Sequence, residues 1–191
     1  MGKKRAAVFL DRDDTLIANR EVTAGTPHLG DLCDPALVRL LPGVAEGLAR
    51  LRDAGFALVV VSNQGCVARG VGTIEQVEAC NRRMRELVRV EAGVELDGVY
   101  YCPHHPKGTV APFNTEHPWR KPAPGMILAA AADLGLDLSR SWMIGDTARD
   151  AEAAIAAGIA AERTVLVMDP SQSVWQNVRT FADAARLAIG K

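Results

Sequence analysis

Ala6-Ala7-Val8-Phe9-Leu10 runs straight into Asp11-Arg12-Asp13-Asp14-Thr15. A short apolar run that ends abruptly in a polar cluster has the pattern of a buried strand followed by a turn over the edge of a sheet. Working outward, Phe56-Ala57-Leu58-Val59-Val60-Val61 is apolar throughout, as a central strand covered on both faces must be. Val99 to Tyr101, Trp142 to Ile144 and Val165 to Met168 have the same β-rich character. Between these runs the period changes to that of a helix. Val44, Leu48 and Leu51 recur at helical spacing before Gly55. Thr73-Ile74-Glu75-Gln76 has the form of a capping box and opens a face of Ile74, Val77, Met84, Leu87 and Val88 that reaches about Ala92. Further helices are predicted from Pro124 to Gly135, over Ala148 to Ala157, and along the stripe Val174, Val178, Phe181, Ala185 and Ile189. Alternating strands and helices predict an α/β fold: a Rossmann-like parallel sheet of about five strands with helices on both faces.

The chain has 191 residues, 48% hydrophobic and 24% charged, with a net charge of −1. No repeat or linker divides it, so residues 1–191 are expected to form a single domain. Lys and Arg are scattered and balanced by Asp and Glu, which argues against nucleic acid as a partner. No apolar run approaches the roughly 20 residues that span a bilayer, so no membrane association is expected. Cys33, Cys66, Cys80 and Cys102 form no C-x-x-C pair and read as mostly free thiols of a cytoplasmic protein. A monomer and a small homo-oligomer are both compatible with the sequence.

Open α/β sheets bind ligands beyond the carboxyl ends of their strands. Here the first strand ends in Asp11-Arg12-Asp13, the second in Ser62-Asn63-Gln64, and the fourth in Gly145-Asp146-Thr147 with Asp150 a helical turn on. Carboxylates gathered at one edge repel, and a hard cation such as Mg²⁺ offsets that. With such an ion present, Asp11 is placed to attack a phosphate ester in line, and Asp13 to protonate the leaving oxygen and then activate water. The Ser62 hydroxyl and the Asn63 amide are donors for the transferring group, and Lys121 supplies positive charge. Taken singly, each cluster reads as an ordinary turn or surface charge; their succession after three strands points to a phosphatase of a small phosphate ester.

These clusters resemble the signatures of the haloacid dehalogenase (HAD) superfamily of phosphatases, over about Val8 to Met168. Within it the chain is similar to the heptose 1,7-bisphosphate 7-phosphatase and histidinol-phosphatase-like family. The segments that carry the likeness are Asp11 to Ile17, Ser62 to Gln64 with Val67-Ala68-Arg69-Gly70, Asp97 to Pro106, and Arg120-Lys121-Pro122 with Pro124-Gly125-Met126. The resemblance implies that Asp11 is the nucleophile, Asp13 the acid and base, and that Asp11, the Asp13 carbonyl and Asp146 bind Mg²⁺. It also implies that Ser62, Asn63 and Lys121 hold the phosphoryl group, with Arg69 and Arg120 reaching the rest of the substrate. A heptose 1,7-bisphosphate is the expected substrate; histidinol phosphate or another sugar phosphate, and a catalytically weakened phosphate-binding protein, are the alternatives. Neither Ala18 to Leu41 nor Cys102 to Pro122, the two long irregular stretches, has room for a large cap domain, so both are expected to be substrate loops.

Two departures from the family pattern stand out. Asp14 replaces the usual glycine of D-x-D-G-T, a position where Asp tolerates a left-handed backbone but adds charge. Many relatives hold zinc with C-x-H followed by C-x-C. Here Cys102 and His104 match the first half, while His117 and Trp119 replace the later cysteines, so zinc is not expected.

Overall fold

The structure, a computed structural model, describes residues 4–167 and 176–190. Among the described residues six strands form one sheet: β1 (Ala7–Leu10), β2 (Ala57–Asn63), β3 (Gly98–Cys102), β4 (Trp142–Gly145), β5 (Thr164–Val167) and β6 (Gln176–Val178). Every neighbouring pair is parallel and the order is β3-β2-β1-β4-β5-β6. Alternation along β1 divides the core. Val8 and Leu10 join Leu58, Val60, Trp142 and Ile144 on one face. Ala7 and Phe9 join Ala57, Val59, Val61 and Met143 on the other. With both faces covered, β2 has no solvent side to mark with polar residues, which is why its sequence is apolar without a break. Each Val or Leu buried this way contributes about 1.5–3 kcal/mol relative to exposure.

Helix α1 (Val44–Asp53) and helix α2 (Ile74–Leu87) serve the first face, together with the last helix described below. The capping box of α2 is formed by Thr73 and Gln76, and a π-helical turn over Val88–Ala92 ends it. Helix α3 (Gly125–Asp133) and helix α4 (Ala148–Ala156) cover the second face. After β3 the chain returns past α3 to place β4 beside β1. Winding therefore reverses between β1 and β4, and their carboxyl ends open onto a crevice.

The sheet has six strands rather than about five. The sixth lies where the sequence pattern suggested helix: Val178 pairs with Val167 in β6, and α5 (Phe181–Ile189) begins only after Thr180, whose hydroxyl accepts from the Asp183 amide. Phe181 and Ala185 are buried against α1 as the stripe requires, whereas Ile189 is 41% exposed. Met168 and Val174, assigned to a strand and a helix from sequence, lie outside the described residues. Once Cys102 is counted in β3, the two long stretches hold turns, a short 3-10 turn at Pro35–Leu37 and an isolated bridge from Leu40 to Ile17, so neither builds a cap domain. Among the described residues no helix is long and apolar enough to cross a membrane. All four cysteines are free.

Candidate active site

Asp11 is the first residue past β1, where its amide still donates to Ile144 of β4 at 2.9 Å. That bond holds the residue, 6% exposed, at the switch point. Opposite it, the Lys121 ammonium donates to Asp11 Oδ1 at 2.6 Å, Asp150 Oδ1 at 2.5 Å and the Val61 carbonyl at 2.8 Å. Lys121 arrives from the second long loop and is set in place by Asn63. The Asn63 amide accepts from the Lys121 N–H at 2.9 Å and donates to its carbonyl at 3.0 Å. The Asn63 side chain thus fixes the lysine backbone rather than lying free for a ligand.

Asp150, singled out in the sequence without a role, is buried at the first turn of α4. Its second oxygen accepts from the Thr147 amide and hydroxyl at 3.0 and 2.8 Å. Gly145 allows this approach, since a Cβ there would lie 2.5 Å from the Asp150 Cβ. Asp11, Asp146 and Asp150 bring one oxygen each within 4.8 Å of one another, the only such group of potential metal ligands among the described residues.

Charge at this edge is under-compensated. Burial, then Asp150, pushes the Asp146 carboxyl up to about 6. Burial also raises Asp11, against the pull of Lys121. On Lys121 burial works the other way, but Asp11 and Asp150 outweigh it and hold the ammonium charged. Three carboxylates facing one ammonium fit a divalent cation: oxygen donors only, excess negative charge, and carboxyls that ionise more readily once a cation arrives.

Asp14 has φ 57°, the left-handed turn expected of it. Its carboxylate accepts from the Asn19 and Arg20 amides at 3.0 Å each, and the Arg20 guanidinium lies 3.5 Å away. The extra charge is therefore tied to the first long loop.

These residues open into a cavity of about 290 Å³. Asp11, Asp13, Asn63, Arg69, Arg120, Lys121 and Asp146 all line it, as the sequence suggested, while Ser62 lies behind, its hydroxyl 3.5 Å from Asp13. Arg69 is not free: its guanidinium forks onto Asp31 of the first loop. Arg120 Nη1 donates to the His104 carbonyl at 3.0 Å. Arg20, His105 and Arg149 also line the cavity and were missed, because single basic residues in loops carry no periodic signal. Burial, then Arg120, Arg69, Lys107 and Arg149, lowers the His105 pKa and keeps the ring neutral.

In the second long loop His104, His117 and Trp119 come together through their rings, with Cys102 beside His117. His104 and His117 stack at 4.3 Å between ring centres, Trp119 lies edge-on to His117, and Phe113 edge-on to His104. His117 Nδ1, 3.9 Å from the Cys102 thiol, already accepts from the Trp119 amide at 3.1 Å.

The fold and this cluster define an enzyme of the doubly wound α/β class, with its centre at the switch point. The HAD-hydrolase-like family model matches residues 118–173. The D-glycero-beta-D-manno-heptose-1,7-bisphosphate 7-phosphatase of Yersinia pestis is 42% identical over 80% of this chain and 76% of its own length. The D-glycero-D-manno-heptose-1,7-bisphosphate 7-phosphatase of Thermosynechococcus vestitus is 46% identical over 81% and 76%. Among solved structures, D,D-heptose 1,7-bisphosphate phosphatase of B. bronchiseptica, complexed with magnesium and phosphate, superposes with a TM-score of 0.75 at 26% identity, covering 97% of this chain and 98% of that one. A HAD-like protein of Mesorhizobium loti superposes at 0.83 with 34% identity, covering 99% and 88%. The chain belongs to the HAD-like phosphatases.

Proposed function

We propose that this chain is a magnesium-dependent phosphatase of a heptose 1,7-bisphosphate, working through a phosphorylated Asp11. The observation that carries this reading is the buried Lys121 bridging Asp11 and Asp150, with Asp146 beside them, at the floor of a cavity rimmed by arginines. Asp11, Asp146 and the Asp13 carbonyl would hold Mg²⁺. When bound, the ion neutralises the non-bridging phosphate oxygens and keeps the carboxylates ionised. Asp11 attacks phosphorus in line while Asp13 gives a proton to the departing sugar oxygen. Asp13 then takes a proton from water, which attacks the acyl phosphate and regenerates Asp11 with release of phosphate. Lys121 offsets the charge that builds on the phosphoryl group in both steps, and the Asn63 backbone amide holds that group, while Ser62, behind Asp13, backs the proton donor instead of touching the phosphoryl group. The second anionic end of the substrate lies toward Arg120 and Arg149, with Arg69 contributing less while Asp31 compensates it. Relatives at 42% and 46% identity whose names specify heptose 1,7-bisphosphate support this substrate.

A panel of heptose 1,7-bisphosphate, a sugar monophosphate and histidinol phosphate, assayed with Mg²⁺, tests the assignment. The bisphosphate is expected to have the highest kcat/KM and histidinol phosphate, whose amine the arginines repel, the lowest. A preference for histidinol phosphate would overturn the substrate and leave the Asp11 chemistry standing.

A further inference from the structure

Arg12, between the two aspartates, has no part in the mechanism above, yet its side chain is only 1% exposed. A guanidinium is costly to bury unless its donors are met, and here they are met in one particular way. Nε and Nη2 fork onto Asp13, at 3.2 and 3.0 Å to Oδ1, and Nη2 lies 3.2 Å from Oδ2. Nη1 donates to Asn81 Oδ1 at 3.0 Å, and Nη2 donates to Gln64 Oε1 at 2.8 Å. The Gln64 amide closes the ring: its Nε2 donates to Asp13 Oδ2 at 2.6 Å and to Ser62 Oγ at 2.8 Å.

Turning the Gln64 amide would break its bonds to Arg12, Asp13 and Ser62 together. Swinging the guanidinium would strip Asn81 Oδ1 of its donor and leave Asp13 without its charged partner, held by Gln64 on one oxygen. Asp13 is therefore gripped by Arg12 on both oxygens and by Gln64 on Oδ2, with its remaining side toward the cavity. A residue needed only for neutral charge would not require a fork and an orienting amide; a carboxylate that must meet a leaving oxygen at a fixed angle does.

We propose that Arg12, braced by Asn81 and relayed through Gln64, is a positioning residue that sets the Asp13 carboxyl for proton transfer to the leaving group. The inference rests on the reading of Asp13 as proton donor.

The test uses leaving-group dependence, since p-nitrophenolate departs without a proton and a sugar alkoxide does not. kcat/KM reports the phosphorylation step alone, and it is measured for a sugar phosphate and for p-nitrophenyl phosphate. Asp13→Asn first establishes the donor: it should depress the sugar phosphate far more than the aryl ester. Arg12→Lys keeps the charge and loses the fork. It is expected to lower kcat/KM for the sugar phosphate by about 100-fold and to leave the aryl ester within about threefold. Gln64→Ala, which removes no buried charge, should give the same pattern at about tenfold and carries the test if Arg12→Lys does not fold. Equal losses on both substrates, or no loss on either, in the variants that fold would overturn the positioning role. Equal losses in Asp13→Asn would instead overturn the proton-donor reading, and the proposal with it.

Discussion

Asp97 and Asp146 are the same residue type at opposite edges of one sheet. At the amino edge, just before β3, Asp97 accepts from Arg5 at 3.1 Å, from Arg52 at 2.7 Å and from the Leu58 amide at 2.7 Å. Burial disfavours its charge, but Arg52 and the Leu58 amide outweigh that and lower its pKa. At the carboxyl edge Asp11 and Asp150 share Lys121 with Asp146 beside them, and burial raises the Asp146 pKa. One edge is neutralised and serves to tie strands together; the other is left short of positive charge. An unmet charge deficit at a sheet edge, rather than acidity itself, is what distinguishes a place built to receive a cation.

Three measurements would break or sharpen that contrast. The largest effect is expected from Asp11→Asn, which removes the nucleophile and one of the crowded charges. kcat should fall by at least about 1,000-fold while urea unfolding shows no loss of stability. Turnover within tenfold of the parent chain would sink the phospho-aspartate.

Next is the response to Mg²⁺. With its pKa raised, Asp146 loses stability for the metal-free protein as pH rises through about 6, and a bound cation returns it. At a concentration about 100-fold above its Kd the ion should contribute about 2.7 kcal/mol, some 5–10 °C in Tm. That gain should be full at pH 7.5 and shrink toward pH 5.5. A gain that grew on acidification would contradict the charge-deficit account.

The smallest effect belongs to the neutralised edge. Asp97→Asn should cost about 1 kcal/mol at neutral pH with kcat unchanged. Because the folded pKa is depressed, this stability is present above the unfolded pKa and lost as pH falls through the folded one. Parent and variant should therefore converge in acid, as urea denaturation at several pH values would reveal.

Much of the fold was legible because it rests on local pattern. The apolar runs of β1 and β2, the Thr73 capping box and the helical stripe of α1 each lie within a few residues of chain. β6 was not, since a three-residue edge strand has too few positions to show a period of two, and the spacing of Val178 from Phe181 also fits a helix. At the site, strand ends marked Asp11, Ser62 and Asp146. The partners of Arg12 were hidden because Gln64 and Asn81 lie 52 and 69 residues away and meet it only in space. A trace existed for Asn81: an amide beside Cys80 on the otherwise apolar, buried stripe of Val77 and Met84 requires a polar partner.

Asn63 has a bearing on how this molecule can change over generations. Its backbone pairs with Cys102, where the second long loop leaves the sheet, and its side chain grips the backbone of Lys121, where that loop comes back. Residues 103–120 thus depart from and return to one fixed point. Lengthening such a loop costs little, about 0.6 kcal/mol for each doubling, and the lysine stays put whatever the loop becomes. Mutation can exchange cysteines for His117 and Trp119, or move Arg120, while the phosphoryl-transfer apparatus is inherited intact. Ligand preference and reaction chemistry can drift as separate traits on this scaffold, with a single asparagine as the partition between them.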